Sequence, residues 1–431
     1  MVTIEEQVKN MNGYNLHVIP NKKFKTVHIV VKFKAPLNRE TITKRALLPY
    51  VLQQGSKKYP SRKELQIALD DLYGSVLSMD SGKKGDNHII SFRLEVANDK
   101  FIPNETNLVE DSFRLLNEVI FQPNVQGDAF VESVFNREVG TLRQKIKSII
   151  DDKMQYANMR LLDEMLDGDP YQLHVHGYEE DLDSLNATDL YRYYTTMLKE
   201  DQVDIYILGD LDQEKMEAIV TANMERTSSG ATTGTNDEES PSRNHHAPKE
   251  VIDKQNVQQA KLHIGYRTNC TYRDKEYPAL QVFNGILGGF PSSKLFINVR
   301  EKNSLAYYAS SRLESHKGLL LVFSGIAPGD YEKARAIIEE QMKAMKNGDI
   351  SENELAESKE LIVNQLLETL DHPQGIIEML YQQVIANADI SPHQLIDKIK
   401  AVQLDDVKAI GEKITEDTVY LLTSEGGTSN E

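Results

Sequence analysis

A single cysteine, Cys270, stands in a chain of 431 residues. It can form no internal disulfide, and one cysteine suits a reducing compartment. Tryptophan is absent. No run approaches the ~18 apolar residues of a membrane helix. The start, Met1 to Val8, has no basic stretch followed by an apolar one, so no secretory leader is read there. A cytoplasmic protein without membrane insertion is expected. Basic residues are outnumbered 49 to 66, for a net charge of −17. A polyphosphate-binding surface, and with it a nucleic-acid partner, is not expected. The acidic surplus serves solubility, and a preference for cationic peptides does not follow from net charge alone. Histidine is missing in a particular pattern. The eleven lie at 17, 28, 88, 174, 176, 245, 246, 263, 316, 372 and 393, and no two are four apart. No His-x-x-Glu-His or His-Glu-x-x-His helix therefore exists in any register.

What is present is an ordinary globular interior, with 40% hydrophobic residues. The length allows more than one core. The stretch from Thr227 through Ser242 is small and polar and cannot bury enough surface to offset its ordering entropy. The organisation read from this is a domain over 1–225, a polar linker over 226–250 and a domain over 251–431. The halves resemble distant copies. Val27 to Phe33 and Lys261 to Tyr266 alternate with period two, as half-buried antiparallel strands do. His88 to Val96 and Leu319 to Gly325 predict a further strand in each half. Phe130, Val134, Leu142, Ile146 and Ile149 form a stripe at near-helical spacing, as do Ala334, Ile338, Met342 and Met345, and then Leu355, Ile362, Leu366 and Leu370. Val203 to Gly209 and Val419 to Leu422 close the halves as strands. Strands, then helices, then a last strand predict an α+β fold, with helices layered on a mostly antiparallel sheet in each half.

The most informative stretch is Ile286 to Tyr308. Gly288-Gly289 turns the chain, and Ser292 or Ser293 can cap a helix through Leu295, Phe296 and Val299. Asn303 breaks that helix, and Leu305-Ala306-Tyr307-Tyr308 starts a strand. This order of Gly-Gly turn, Ser-Ser-Lys-Leu-Phe helix and Arg-Glu-x-x-x-Leu-x-Tyr resembles the C-terminal half of the pitrilysin/insulinase family of zinc peptidases, the inverzincins. The resemblance covers nearly the whole chain outside the linker. It implies two homologous domains of the kind found in mitochondrial processing peptidase and LuxS.

The family places His-x-x-Glu-His on a helix of its first half. Positions i and i+4 share one face, so both imidazoles reach one zinc, while the glutamate can take a proton from the bound water. Here Gly55-Ser56 and Tyr59-Pro60 match the segment that follows the motif. Counting back from Gly55, the two ligand histidines fall on Ala46 and Tyr50, and the catalytic glutamate falls on Pro49. The third ligand, a glutamate in the family, falls on Lys145. Pro49 also predicts a helix that starts late or kinks. These four positions are therefore identified as a degenerate metal site, and no catalytic residue or bound metal is expected in this chain alone. His174-Val-His176, with Glu179 or Glu180 nearby, offers a separate ligand set by spacing alone, and otherwise reads as a surface loop.

The family's Arg and Tyr, which reach the substrate backbone and the developing oxyanion, match Arg300 and Tyr307. A guanidinium donates in a fixed fork, and a phenol can donate to a tetrahedral oxygen. Without the family pattern, the same residues read as a charged helix end and a packed strand residue. Small two-domain bacterial members of the family work in pairs, one chain with the zinc motif and one without. The resemblance implies a chain of the second kind, a non-catalytic subunit binding peptide substrate beside a zinc-bearing partner. A catalytically dead scaffold of the same fold and an active metallopeptidase with atypical ligands are the alternatives.

Overall fold

A computed structural model describes residues 4–103, 107–224, 226 and 248–425. Most of the expected linker, with His245 and His246, lies outside the described residues. The chain forms two compact units. The first comprises Met1–Ser148 and Leu173–Pro241; the second comprises Ile149–Gln172 and Ser242–Glu431.

The first unit opens with β1 (Gln7–Met11), β2 (Tyr14–Pro20) and β3 (Thr26–Pro36), followed by α1 (Ile42–Leu52) and α2 (Arg62–Asp71). Next come β4 (Val76–Lys84), β5 (Asn87–Ala97), α3 (Leu108–Phe121), a short hairpin of β6 (Val125–Gln126) and β7 (Ala129–Phe130), and α4 (Glu132–Asp151). After α5 (Lys153–Met165), the chain returns through α6 (Asp181–Ser184), α7 (Ala187–Glu200), β8 (Gln202–Gly209) and α8 (Gln213–Asn223). Six strands form one sheet in the order β1-β2-β8-β3-β5-β4. The alternation in β3 does what period two demands: Ile29, Val31 and Phe33 are fully buried on the helix side. Phe113, Leu116 and Val119 of α3 and Leu190 and Met197 of α7 belong to the same core.

The second unit comprises β9 (Lys249–Lys254), β10 (Ala260–Arg267), α9 (Tyr277–Asn284), β11 (Ala306–Glu314), β12 (Leu319–Ile326), α10 (Tyr331–Asn347), α11 (Glu352–Leu370), α12 (Pro373–Ala386), α13 (Pro392–Ala401), α14 (Leu404–Lys413) and β13 (Thr415–Thr423). Its sheet has the order β11-β12-β10-β13-β9. Read from the other edge, this is the first sheet without β1. In both, the pair joining the closing strand to the opening one is parallel, β2 with β8 and β9 with β13, and every other pairing is antiparallel. The two halves thus repeat one topology, and the α+β expectation holds in each.

Two features depart from the sequence reading. Helix α1 does not start late at Pro49 but runs from Ile42 past it to Leu52. Proline cannot donate to the carbonyl four residues back. The helix persists because Ala46, Leu47, Leu48, Val51 and Leu52 are all at most 4% exposed, and such burial contributes about 1.5–3 kcal/mol for each large side chain. The second feature is α5. It lies in the N-terminal half of the chain, yet it packs on β10 and β13 of the second unit. Gly265 makes room for it, since a Cβ there would fall 2.5 Å from Met165 Sδ. Arg160 Nε donates to Asp253 at 3.2 Å, and Arg267 donates to the Met165 carbonyl at 2.9 Å. The ends of the expected linker also belong to the units: Arg226 Nε donates to the Leu198 carbonyl at 2.7 Å, and β9 begins at Lys249.

Candidate functional site

In the first unit, α1 carries Ala46, Pro49 and Tyr50, and α4 carries Lys145. Ala46 is fully buried, Pro49 is buried and Tyr50 is half-buried. Burial raises the Tyr50 phenol above its ordinary range, and the Glu138 carboxylate adds to the shift. Tyr50 is therefore held neutral. Glu138, 4% exposed on α4, accepts from Arg137 Nε at 2.7 Å. Lys145 is exposed on the same helix.

Arg45, beside Ala46, is 1% exposed. Its guanidinium donates to Asp201 at 2.7 Å, to Tyr193 at 3.1 Å and to His88 Nδ1 at 3.1 Å. It also donates to the carbonyls of Phe33 and His88, at 3.2 Å each. Burial, then the charge of Arg45, pushes the His88 imidazole down to about 3. His176 is pushed down to about 4 by burial and by Lys145. None of the four side chains at the degenerate positions is a metal ligand of the family's kind, and Lys145 opposes a cation. The residues at these positions do not fit a zinc ion.

The separate ligand set is not assembled either. His174 and His176 lie in a turn-rich loop, as the plainer reading had it. The His174 ring stacks on Tyr178, with centroids 4.8 Å apart. Glu179 pairs with Arg143 and Lys147 at 3.0 Å, and Glu180 pairs with Arg39 at 3.3 Å. Among the described residues, no group of three His, Cys, Asp or Glu side chains is placed to hold a metal ion.

In the second unit, Arg300 and Tyr307 flank a tight reversal before β11. Where an ordinary helix was expected, Phe296–Glu301 forms a π-turn, in which Lys302 N–H donates to the Ile297 carbonyl at 2.9 Å. The serines do not cap it, and the buried Ser293 hydroxyl has no partner. The Arg300 guanidinium lies 4.5 Å from the Phe296 ring centroid, with Nε 3.5 Å from Glu301 and a side chain 43% exposed. Ser304 takes a left-handed conformation, φ 52°, which reverses the chain. The register of β11 on β12 shifts between Ala306 and Tyr308. Tyr307 is the extra residue of this bulge, and bulges re-aim side chains. It is 77% exposed and makes no side-chain hydrogen bond among the described residues. Gly288 packs against β11 further along, where a Cβ would fall 2.6 Å from Ser311 N. Sequence reasoning singled out Arg300 and Tyr307 but did not place Phe296 beneath the guanidinium or Glu138 near Tyr50. The Phe-x-x-x-Arg spacing was the available signal for the first.

Residues 184–362 match the family described as Peptidase M16 inactive domain. The chain is 46% identical, over all of both proteins, to the probable inactive metalloprotease YmfF of Bacillus subtilis. The chain belongs to the M16 peptidase family. A conserved protein from Enterococcus faecalis has a crystal structure similar to this M16 chain, with TM-score 0.89, 32% identity, and coverage of 99% of this chain and 100% of that one. The peptidase M16 inactive domain from Pseudomonas fluorescens shares the fold at TM-score 0.80, with 15% identity and coverage of 99% and 100%. The family match and these relatives agree on an M16-like fold, and the relative that shares 46% of the sequence is described as probably inactive. Among the described residues, no helix is long and apolar enough to cross a membrane.

Proposed function

We propose that this chain is the non-catalytic, substrate-binding subunit of a heteromeric zinc peptidase in the cytoplasm. It holds an extended peptide through Arg300 and Tyr307, and a partner chain carrying the zinc motif performs the hydrolysis. One observation carries the reading: a tyrosine set out of its strand by a bulge, 77% exposed and unpartnered, stands seven positions after a half-exposed arginine. An exposed aromatic of this size, on the same segment as a half-exposed guanidinium, supports a peptide-binding role. Such donors gain strength where charge develops, and losing one typically costs about 2.7–4 kcal/mol of transition-state stabilisation.

The test is peptide cleavage by this chain alone, by a zinc-motif relative from the same cell, and by the mixture. The chain alone is expected to be inactive. The mixture is expected to exceed the relative alone, and Arg300→Ala with Tyr307→Phe is expected to remove that gain. A mixture that cleaves equally well with the double variant favours the scaffold reading, which the stacking of Arg300 on Phe296 and its pairing with Glu301 would suit.

A further inference from the structure

The reversal between Arg300 and Tyr307 is over-determined by hydrogen bonds that meet at Asn298. Its amide donates to the Lys294 carbonyl and to Gln341 Oε1, both at 2.9 Å. Its side-chain oxygen accepts from Lys302 Nζ at 3.2 Å, and its carbonyl accepts from the Asn303 amide at 2.7 Å. Gln341, on α10, is 8% exposed, so the bond to it fixes the π-turn against the helix layer. Lys294 is itself held by Glu354 at 2.7 Å, and Glu354 closes the capping box of α11. Beyond the π-turn, Ser304 N–H donates to the Arg300 carbonyl at 3.0 Å and Leu305 N–H to the Val299 carbonyl at 3.1 Å. These bonds close the left-handed reversal much as a Schellman ending does, one residue wider. Leu305 and Val299 are buried together in the core.

A π-turn and a left-handed serine are each unfavourable locally and persist where the surroundings impose them. Here the π-turn carries Arg300 itself, and the left-handed serine separates it from Tyr307. We infer that Asn298, with Gln341 and Ser304, is a positioning residue that sets the Arg300 guanidinium and the Tyr307 phenol at a fixed separation for one peptide. The inference rests on the clamp reading of Arg300 and Tyr307. Neither Asn298 nor Gln341 touches the peptide. They act by denying the 300–307 segment the regular helix and unbulged strand it would otherwise adopt.

The test is a double-mutant cycle on the full chain. The probe is a fluorescein-labelled, unstructured peptide library of mixed sequence, read by anisotropy. Arg300→Ala alone is expected to weaken binding about tenfold, the loss of one charged donor. Asn298→Ala is expected to weaken it by a similar factor. In the Asn298→Ala background, Arg300→Ala should cost less than about twofold more, because a misplaced guanidinium has little left to lose. If the two losses simply multiply, Asn298 contributes only stability and the positioning role is wrong while the clamp stands. If Arg300→Ala alone leaves binding unchanged, the clamp itself is wrong. Should Asn298→Ala fail to fold, Gln341→Leu, which keeps the buried volume, takes its place in the cycle with the same outcomes.

Discussion

At the scale of single residues, three imidazoles held below their ordinary range make stability depend on pH. His263 on β10 is fully buried beneath α5, edge-on to Phe323 at 4.9 Å, and neither ring nitrogen finds a side-chain partner. Burial, then the charges of Lys261 and Arg312, pushes it down to about 3, while a backbone contact at Ala157 opposes the shift. His88 falls to about 3 and His176 to about 4 for the causes given above. In each case the unfolded chain takes up a proton near the ordinary value of about 6.5, and the folded chain does so only at lower pH. Stability therefore rises with pH between the two values and is lost as pH falls through that window. Each histidine contributes a slope of up to about 1.4 kcal/mol per pH unit. His263→Phe is expected to make the decline between about pH 6 and about pH 4 shallower by up to that amount. Urea unfolding of both proteins across the window checks it.

At the scale of elements, the turns around Arg300 matter more than the helices. Gly288→Ala would drive a methyl into Ser311 N and Oγ, both 2.6 Å away, and into Leu295. Backbone cannot yield as a side chain can, so a loss of about 1–3 kcal/mol and a lower Tm are expected, measured by thermal melting. Much of this layer was legible beforehand. Period two predicts β3 and β10, and β5, β8, β12 and β13 are read as strands as well. The edge strands were harder. Sequence gave only the start of β11 and nothing of β4, because an edge strand half-exposed along its length lacks a clean apolar face. The π-turn carries no compositional signature, since its extra residue is forced by Asn298 and Gln341, far apart in sequence. Pro49 misled because the penalty of a helix-interior proline is local, whereas the burial that outweighs it is tertiary. At the candidate site, the residue types at 46, 49, 50 and 145 are read directly from the sequence. The hydrogen-bond set of the buried Arg45 is not, because nothing in the sequence joins residues 45, 88, 193 and 201.

At the scale of the molecule, duplication and exchange coexist. Two sheets repeat one strand order, yet residues 149–172 leave the first unit to complete the second. The second unit without this arm would bare the sheet face around His263, Phe323 and Tyr420. Residues 242–431 expressed alone are expected to be poorly folded and to bind a hydrophobic dye. Adding the segment 149–172 as a separate peptide should restore a cooperative melt. A fragment that melts cooperatively unaided would show that α5 is dispensable to its sheet.

The position of α5 has a consequence for biosynthesis. The helix leaves the ribosome early, with Ala157, Leu161 and Met165 on the face that its sheet will cover. Its seat includes β13, which is translated after every other described element. Until β13 emerges, that greasy face lacks part of its native neighbourhood. Growing chains should therefore engage holdase chaperones until then, and slowing translation between β12 and β13 should prolong that engagement.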